Sequence, residues 1–342
     1  MSKITKFATM LLLPLAIAAA CVPGPDSNNT PTSRYTLPKD DDVQQLVQFV
    51  DGLMNFKPST VQEKTEYDAK ARVAVRAACK RIIELEKDNT SSAYQMASRY
   101  LLMFDIAKLR TASPKVQRET VKSALDHFSN KAELSQSDAE AVQDMAGRLE
   151  GSATQGANML AADVYDQFAE LFTNRGGADL EPIVNRFEGA SRRLQSEGKE
   201  FQLSGQTVDG KEFDISSLRG KVVLVDFWAT WCEPCVREIP NVKQQYETYH
   251  DQGFEVVGVS LDQELGPLDG FLRSNSIPWT TIPAFIGSEN PVIAHYGIFT
   301  IPQMILLDRE GNVISIGLRG EELSSKLNNI FSSKDKPVES DG

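Results

Sequence analysis

The spacing of hydrophobic residues changes once along this chain, near Gly198, and that change constrains the fold more than any other feature. Before it, apolar side chains recur every three or four residues, the period of a helix face. Val43, Leu46, Val47, Val50, Leu53 and Met54 trace one stripe, and Val75, Cys79, Ile82 and Ile83 a second. Tyr94, Leu101 and Phe104 with Leu109 form a third, and Val121, Leu125 and Phe128 a fourth. Val142, Met145 and Leu149 make a weaker stripe. Met159, Leu160, Val164, Phe168, Leu171 and Phe172 make a strong one that stops at Gly176-Gly177, a C-cap pattern. Ile183, Val184, Phe187 and Leu194 complete the set. Thr60 and Glu63 after Pro58 match a capping box, and Ser113-Pro114 matches an N-cap followed by proline at the first helical position. The links are short, so successive helices are expected to pack antiparallel. The Trp, Leu-Gly and Tyr pattern of tetratricopeptide repeats is absent, and this half holds no catalytic motif.

After Gly198 the pattern becomes that of strands. Val208-Asp209-Gly210-Lys211 predicts a hairpin turn. Val222–Trp228 and Phe254–Ser260 are continuous apolar runs, as buried strands require. Helices are expected over Val236–His250, Glu264–Ser274 and Glu321–Phe331. Met304–Asp308 and Val313–Ile316 read as strands joined by the turn Arg309-Glu310-Gly311-Asn312. The expected organisation is an all-helical domain over 40–198 and an α/β domain with a mixed sheet over 199–333. A polar, disordered tail over 334–342 follows.

The first 20 residues read as an export signal. Lys3 and Lys6 precede the short apolar run Phe7–Ala20, and Ala18-Ala19-Ala20 is a small-residue cleavage site. Cys21 follows directly, so the arrangement resembles a bacterial lipoprotein signal whose cysteine is lipidated, although Ala18 stands where leucine is usual. The alternative is an ordinary signal peptide cut at the same bond. Residues 21–39, rich in Pro, Ser, Asn and Thr, are expected to be a flexible tether. Either reading places the protein outside the cytoplasm, in the bacterial envelope or periplasm, where disulfide exchange is possible. The apolar run is too short to span a bilayer, so membrane attachment is expected through the lipid only.

Composition excludes several functions. With 36 basic and 47 acidic side chains the net charge is -11, of which -9 falls after residue 198. No nucleic-acid partner is expected, since that binding rests on clustered Lys and Arg. Three histidines and four cysteines are too few for a metal-rich protein or a disulfide-dense scaffold, so no metal is expected.

Chemistry concentrates in Trp231-Cys232-Glu233-Pro234-Cys235, where a buried strand passes into a helix. Two cysteines two residues apart can close a disulfide. A helix N-terminus offers free N–H groups and a positive dipole end that stabilise a thiolate. Cys232 is therefore expected to be the exposed nucleophile and Cys235, one turn in, the shielded resolving thiol. A zinc site would need a second ligand pair, which this half lacks. Asp226, alone in an apolar strand, is expected to have a raised pKa and to accept the resolving thiol's proton; a plain structural carboxylate is the alternative. Glu238 reads either as a group tuning these pKa values or as dipole compensation. Glu233 opposes ionisation of Cys232. Trp231 is a candidate docking surface, Trp228 core, Cys79 a buried inert thiol and His295 structural.

The segment Lys221–Glu238, with Ile239-Pro240 after it and Leu218-Arg219-Gly220 before it, resembles the thioredoxin superfamily, closest to its extracytoplasmic TlpA/ResA-type thiol-disulfide oxidoreductases. The resemblance covers about 199–333 and implies a thioredoxin-like three-layer domain. It also implies a cis-proline loop, matched here by Thr300-Ile301-Pro302, with Pro302 cis and the Ile301 backbone pairing with an incoming peptide. Trp231, Glu233 and Pro234 would flank that peptide. Glu238 fits an acidic residue of the ResA-type proteins, whereas Asp226 is more like thioredoxin itself. The resemblance further implies reduction of protein disulfides, including cytochrome c maturation. The redox-active pair would serve in place of a cofactor, with thiol or disulfide proteins as partners and a membrane electron donor upstream. An envelope binding protein whose helical domain docks a protein partner, with ancillary redox activity, is one alternative. A peroxiredoxin-like thiol peroxidase is another, but it needs Pro and Thr or Ser where Val225 and Ala229 stand.

Overall fold

The computed structural model describes residues 34–152, 154–285 and 291–332. The expected signal, Cys21, most of the tether and the tail lie outside the described residues. Seven α-helices come first: α1 (Val43–Met54), α2 (Val61–Leu85), α3 (Ser92–Ile106), α4 (Pro114–Ser129), α5 (Gln136–Glu150), α6 (Ala157–Arg175) and α7 (Glu181–Leu194). Every expected stripe but the third supplies buried side chains; in α3 Tyr94, Leu101 and Phe104 are only half-buried, and Ala97, Leu102 and Ile106 are the buried ones. Leu46, Val50, Val75, Cys79 and Ile82 close one small core between α1, α2 and α3. Val142, Met145, Phe168, Phe172 and Phe187 centre a larger one over α3 to α7.

Three local expectations need correction. Leu109 does not continue α3, which ends at Ile106; Leu109 is buried from a separate 3-10 turn. Met159 faces solvent at 53% exposure, because the packed face of α6 runs through Ala157, Leu160, Ala161 and Val164 and leaves Met159 on the other side. At the start of α2, Thr60 Oγ1 accepts from Glu63 N at 3.1 Å, but the Glu63 carboxylate reaches back to Ser59 N, 2.8 Å, and not to Thr60.

The remaining chain holds β1 (Ser204–Gln206), β2 (Glu212–Asp214), β3 (Val222–Trp228), α8 (Glu233–Tyr249), β4 (Phe254–Ser260), α9 (Leu265–Ser274), β5 (Thr280–Pro283), α10 (Pro291–His295), β6 (Gln303–Leu307), β7 (Val313–Ile316) and α11 (Gly320–Ser332). β1 and β2 form the expected hairpin, with Gly210 at φ 81° in its turn. The other five strands make a mixed sheet in the order β5-β4-β3-β6-β7. β3 runs parallel to β4 and antiparallel to β6. Side chains alternate across β3, as the pleat requires. Val222 and Leu224 face the core under α8 and α11, whereas Val223, Val225 and Phe227 face the one shared with α10. Helices on both faces give three layers around a mixed sheet.

The helix after β3 begins at Glu233, not Val236. Cys232 is its N-cap and Pro234 sits in the first turn, where its missing N–H costs nothing. β5 and α10 escape the hydrophobic pattern because they have four and five residues. Between the two halves, the chain from Glu197 to Phe201 lies along β7. Gly198 N donates to Val313 O at 2.8 Å, and Phe201 N to Gly311 O at 3.0 Å.

Candidate active site

β3 ends inside the molecule and α8 begins five residues later, so the turn between them sits at the carboxyl edge of the sheet. Cys232 and Cys235 form a disulfide there, with Cα atoms 5.2 Å apart. Cys232 holds the N-cap position, and its Sγ accepts from the Cys235 backbone N–H at 3.3 Å. The sulfur thus already receives a donor from the first turn of α8, the electrostatics a thiolate needs.

Exposure differs from expectation in this oxidised form. Cys232 is 6% exposed and Cys235 2%. The order matches the expected one, but Cys232 is not open to solvent. The bond ties it to Cys235, and both pack among Trp228, Ala229, Ile239 and Leu268. Ile301 rests against the same cluster. Trp231 is 66% exposed beside it. Glu233 and Pro234 are exposed too, and Glu233 pairs with Arg237 one turn on. The Ile301–Pro302 bond is cis, and Pro302 is buried.

Asp226 is buried on the face of β3 that α8 and α11 cover, and its Oδ1 has no hydrogen-bond partner. Burial pushes its pKa up to about 7, the negative charge of Glu238 adds to the rise, and Arg319 opposes it. Glu238 Oε1 accepts from Gly320 N at 2.7 Å and from Asn241 Nδ2 at 2.6 Å, which joins α8 to the start of α11. Arg319, just before α11, donates to the Pro302 carbonyl. The two carboxyl groups and this guanidinium therefore form one electrostatic unit between the cysteine helix and the proline loop.

Sequence reasoning missed Arg319, for which no local signal exists, and Asp262. The Asp262 carboxylate accepts from Thr230 Oγ1 at 2.6 Å, Thr230 N at 3.0 Å and Ser260 Oγ at 2.8 Å. It thus pins the turn that carries Cys232 to the end of β4. The Ser-Leu-Asp at the end of an apolar strand was the available signal. Cys79 lies apart from the site in the helical half. It is fully buried, and burial pushes its thiol up to about 12. His295 lies outside the site as well. No group of His, Cys, Asp and Glu side chains that could hold a metal ion occurs among the described residues.

Residues 195–316 match the AhpC/TSA family, which leaves α1 to α7 outside the match. The thioredoxin domain of a thiol-disulfide oxidoreductase from Bacteroides vulgatus is similar at 27% identity and TM-score 0.36, over 38% of this chain and 94% of that one. Fold and site together are those of a thioredoxin-like thiol-disulfide oxidoreductase. The thiol-disulfide oxidoreductase ResA of Bacillus subtilis is 30% identical over 139 residues, 40% of this chain and 74% of that protein. ResA of Geobacillus kaustophilus is 33% identical over 158 residues, 46% and 80% of the respective chains. The chain belongs to the ResA family of thiol-disulfide oxidoreductases.

Proposed function

We propose that this protein reduces disulfides of other proteins in the bacterial cell envelope, tethered there through a lipid on Cys21. The observation that carries the reading is the Cys232–Cys235 disulfide at the N-terminus of α8, with the Ile301–Pro302 loop packed against it.

In the reduced enzyme the Cys232 thiolate attacks one sulfur of the substrate disulfide. A mixed disulfide forms, and the other substrate sulfur leaves as a thiolate. Cys235 then loses its proton to Asp226, directly or through a water, and attacks Cys232 Sγ. The enzyme disulfide closes and the second substrate thiol is released. The substrate has gained two electrons and the enzyme has lost them, so a membrane electron donor must reduce the pair before the next cycle. Asp226 suits this role because a group with a pKa near 7 both takes and returns a proton at neutral pH. Glu238 helps hold that value up. The substrate peptide lies across Trp231, Glu233 and Pro234 and pairs with the Ile301 backbone beside Pro302. An apocytochrome with a cysteine pair awaiting haem is the substrate that the family resemblance favours. The helical half is also a surface on which a protein partner could be recruited.

Replacing Cys235 with Ala tests this reading. The variant is expected to stop at the mixed disulfide, so that a substrate protein stays joined to Cys232 and is released by added thiol. If no adduct forms and the unaltered protein fails to reduce a test disulfide, the protein acts by binding instead.

A further inference from the structure

The segment between α10 and β6 belongs to two cores at once. Val292, Ile293, Tyr296, Ile298 and Ile301 all pack into the core on the α10 side of the sheet. Phe299 goes the other way and packs against the core of the helical half. Its ring stacks on Tyr165 of α6, 5.8 Å between centroids and 13° between planes, and lies 5.7 Å from Phe187 of α7.

Polar ties hold the same segment from the same side. Arg193 of α7, 3% exposed, donates from Nε to Tyr296 O at 3.1 Å. Its Nη1 donates to Glu150 of α5 at 2.9 Å, and Glu150 in turn accepts from Tyr165 OH at 3.0 Å. Arg192 donates to His295 O at 2.6 Å. The backbones also touch. A Cβ on Gly189 would lie 2.4 Å from Ala294 O, and one on Gly297 would lie 2.2 Å from Ala190 N. α7 and the turn after α10 therefore have no slack between them.

This anchorage ends two residues before Ile301 and three before Pro302. We propose that the helical half braces the proline loop, and that Phe299 is the positioning residue through which it sets the affinity for peptide disulfides. The proposal rests on the reading of Ile301 as the group that pairs with substrate backbone. Pairing along an extended peptide needs the Ile301 N–H and C=O held in place, since a displacement of about 1 Å is enough to lose such geometry. A small disulfide that carries no peptide needs only the Cys232–Cys235 pair. The brace should therefore act on one substrate class and not the other.

The test uses the full chain with Phe299→Ala, Phe299→Leu, which guards against loss of the helical core, and Arg193→Gln, which cuts the polar tie to Tyr296 O. The probes are a disulfide-bonded peptide with several residues on each side of the bond, and hydroxyethyl disulfide. Phe299→Ala is expected to raise the peptide KM by roughly fivefold to tenfold, with kcat and the hydroxyethyl disulfide rate within about twofold of the unaltered protein. Phe299→Leu should recover most of the peptide KM. Amide exchange over 298–301 should quicken by at least about tenfold in Phe299→Ala and Arg193→Gln. A folded Phe299→Ala with an unchanged peptide KM, or with both substrates slowed alike, overturns the proposal, as does unchanged exchange over 298–301. The exchange measurement also separates the two readings. An unaltered protein that reduces neither disulfide defeats the reductase assignment, while faster exchange in the variants would still support the brace.

Discussion

Asp226 carries a carboxyl that is nearly shut off from water and has no partner at Oδ1. Its pKa of about 7 against an ordinary 3.8 has a consequence for stability. Between those values the folded chain keeps a proton that the unfolded chain has released. Stability therefore falls as pH rises through that window, and the whole cost, on the order of 4 kcal/mol at most, applies above it. Asp226→Asn removes a charge that the fold does not satisfy. In urea unfolding of the oxidised protein, the variant should match the unaltered protein near pH 4 and exceed it by about 2–4 kcal/mol at pH 8. An equal difference at both pH values would contradict the burial argument. The same variant should lose the rise through pH 7 in the rate at which Cys235 resolves a mixed disulfide, followed by rapid quenching and thiol labelling. The buried carboxylate is legible in sequence because it interrupts seven residues of strand. Of its neighbours, Glu238 is legible from its place three residues after Cys235, whereas Arg319 is not, since it precedes a helix that only the packed fold brings to Asp226.

At the scale of elements, the turn from β3 into α8 is held from outside itself. Asp262, 4% exposed, accepts both the N–H and the hydroxyl of Thr230 together with the Ser260 hydroxyl. Asp262→Ala would leave these donors unpaired in a dry site, a loss of about 2–3 kcal/mol. Urea midpoints at unchanged m-value measure it, and a loss below about 0.5 kcal/mol would mean that the turn holds its own shape. The long elements can be read from hydrophobic spacing: β3 and β4 have the expected bounds because each is a run of seven residues between turn signals. α8 starts three residues earlier than its apolar face does, because Glu233 and Pro234 are exposed and carry no periodic signal. β5 and α10, with four and five residues, are too short for a hydrophobic period to repeat visibly in the sequence.

Across the whole molecule, the two kinds of hydrophobic spacing place the helical half and the sheet half correctly, yet say nothing of how they meet. The interface rests on Phe299, Arg193 and two glycines more than a hundred positions apart, and no local pattern announces it. Because α7 leads straight into a segment bonded to β7 and also packs on α10, the two halves should unfold together. Fluorescence and far-ultraviolet circular dichroism are expected to report one coincident urea transition; two separated transitions would show the halves to be energetically independent. On the proposed function, the Cys232–Cys235 pair exchanges electrons with a substrate disulfide. Turnover of a disulfide-bonded peptide by the reduced protein, compared with Cys232→Ser and Cys235→Ala, tests it most directly. The unaltered protein is expected to turn over, Cys232→Ser to give no reaction, and Cys235→Ala to hold a single covalent adduct per chain. Undiminished turnover by Cys232→Ser would contradict it.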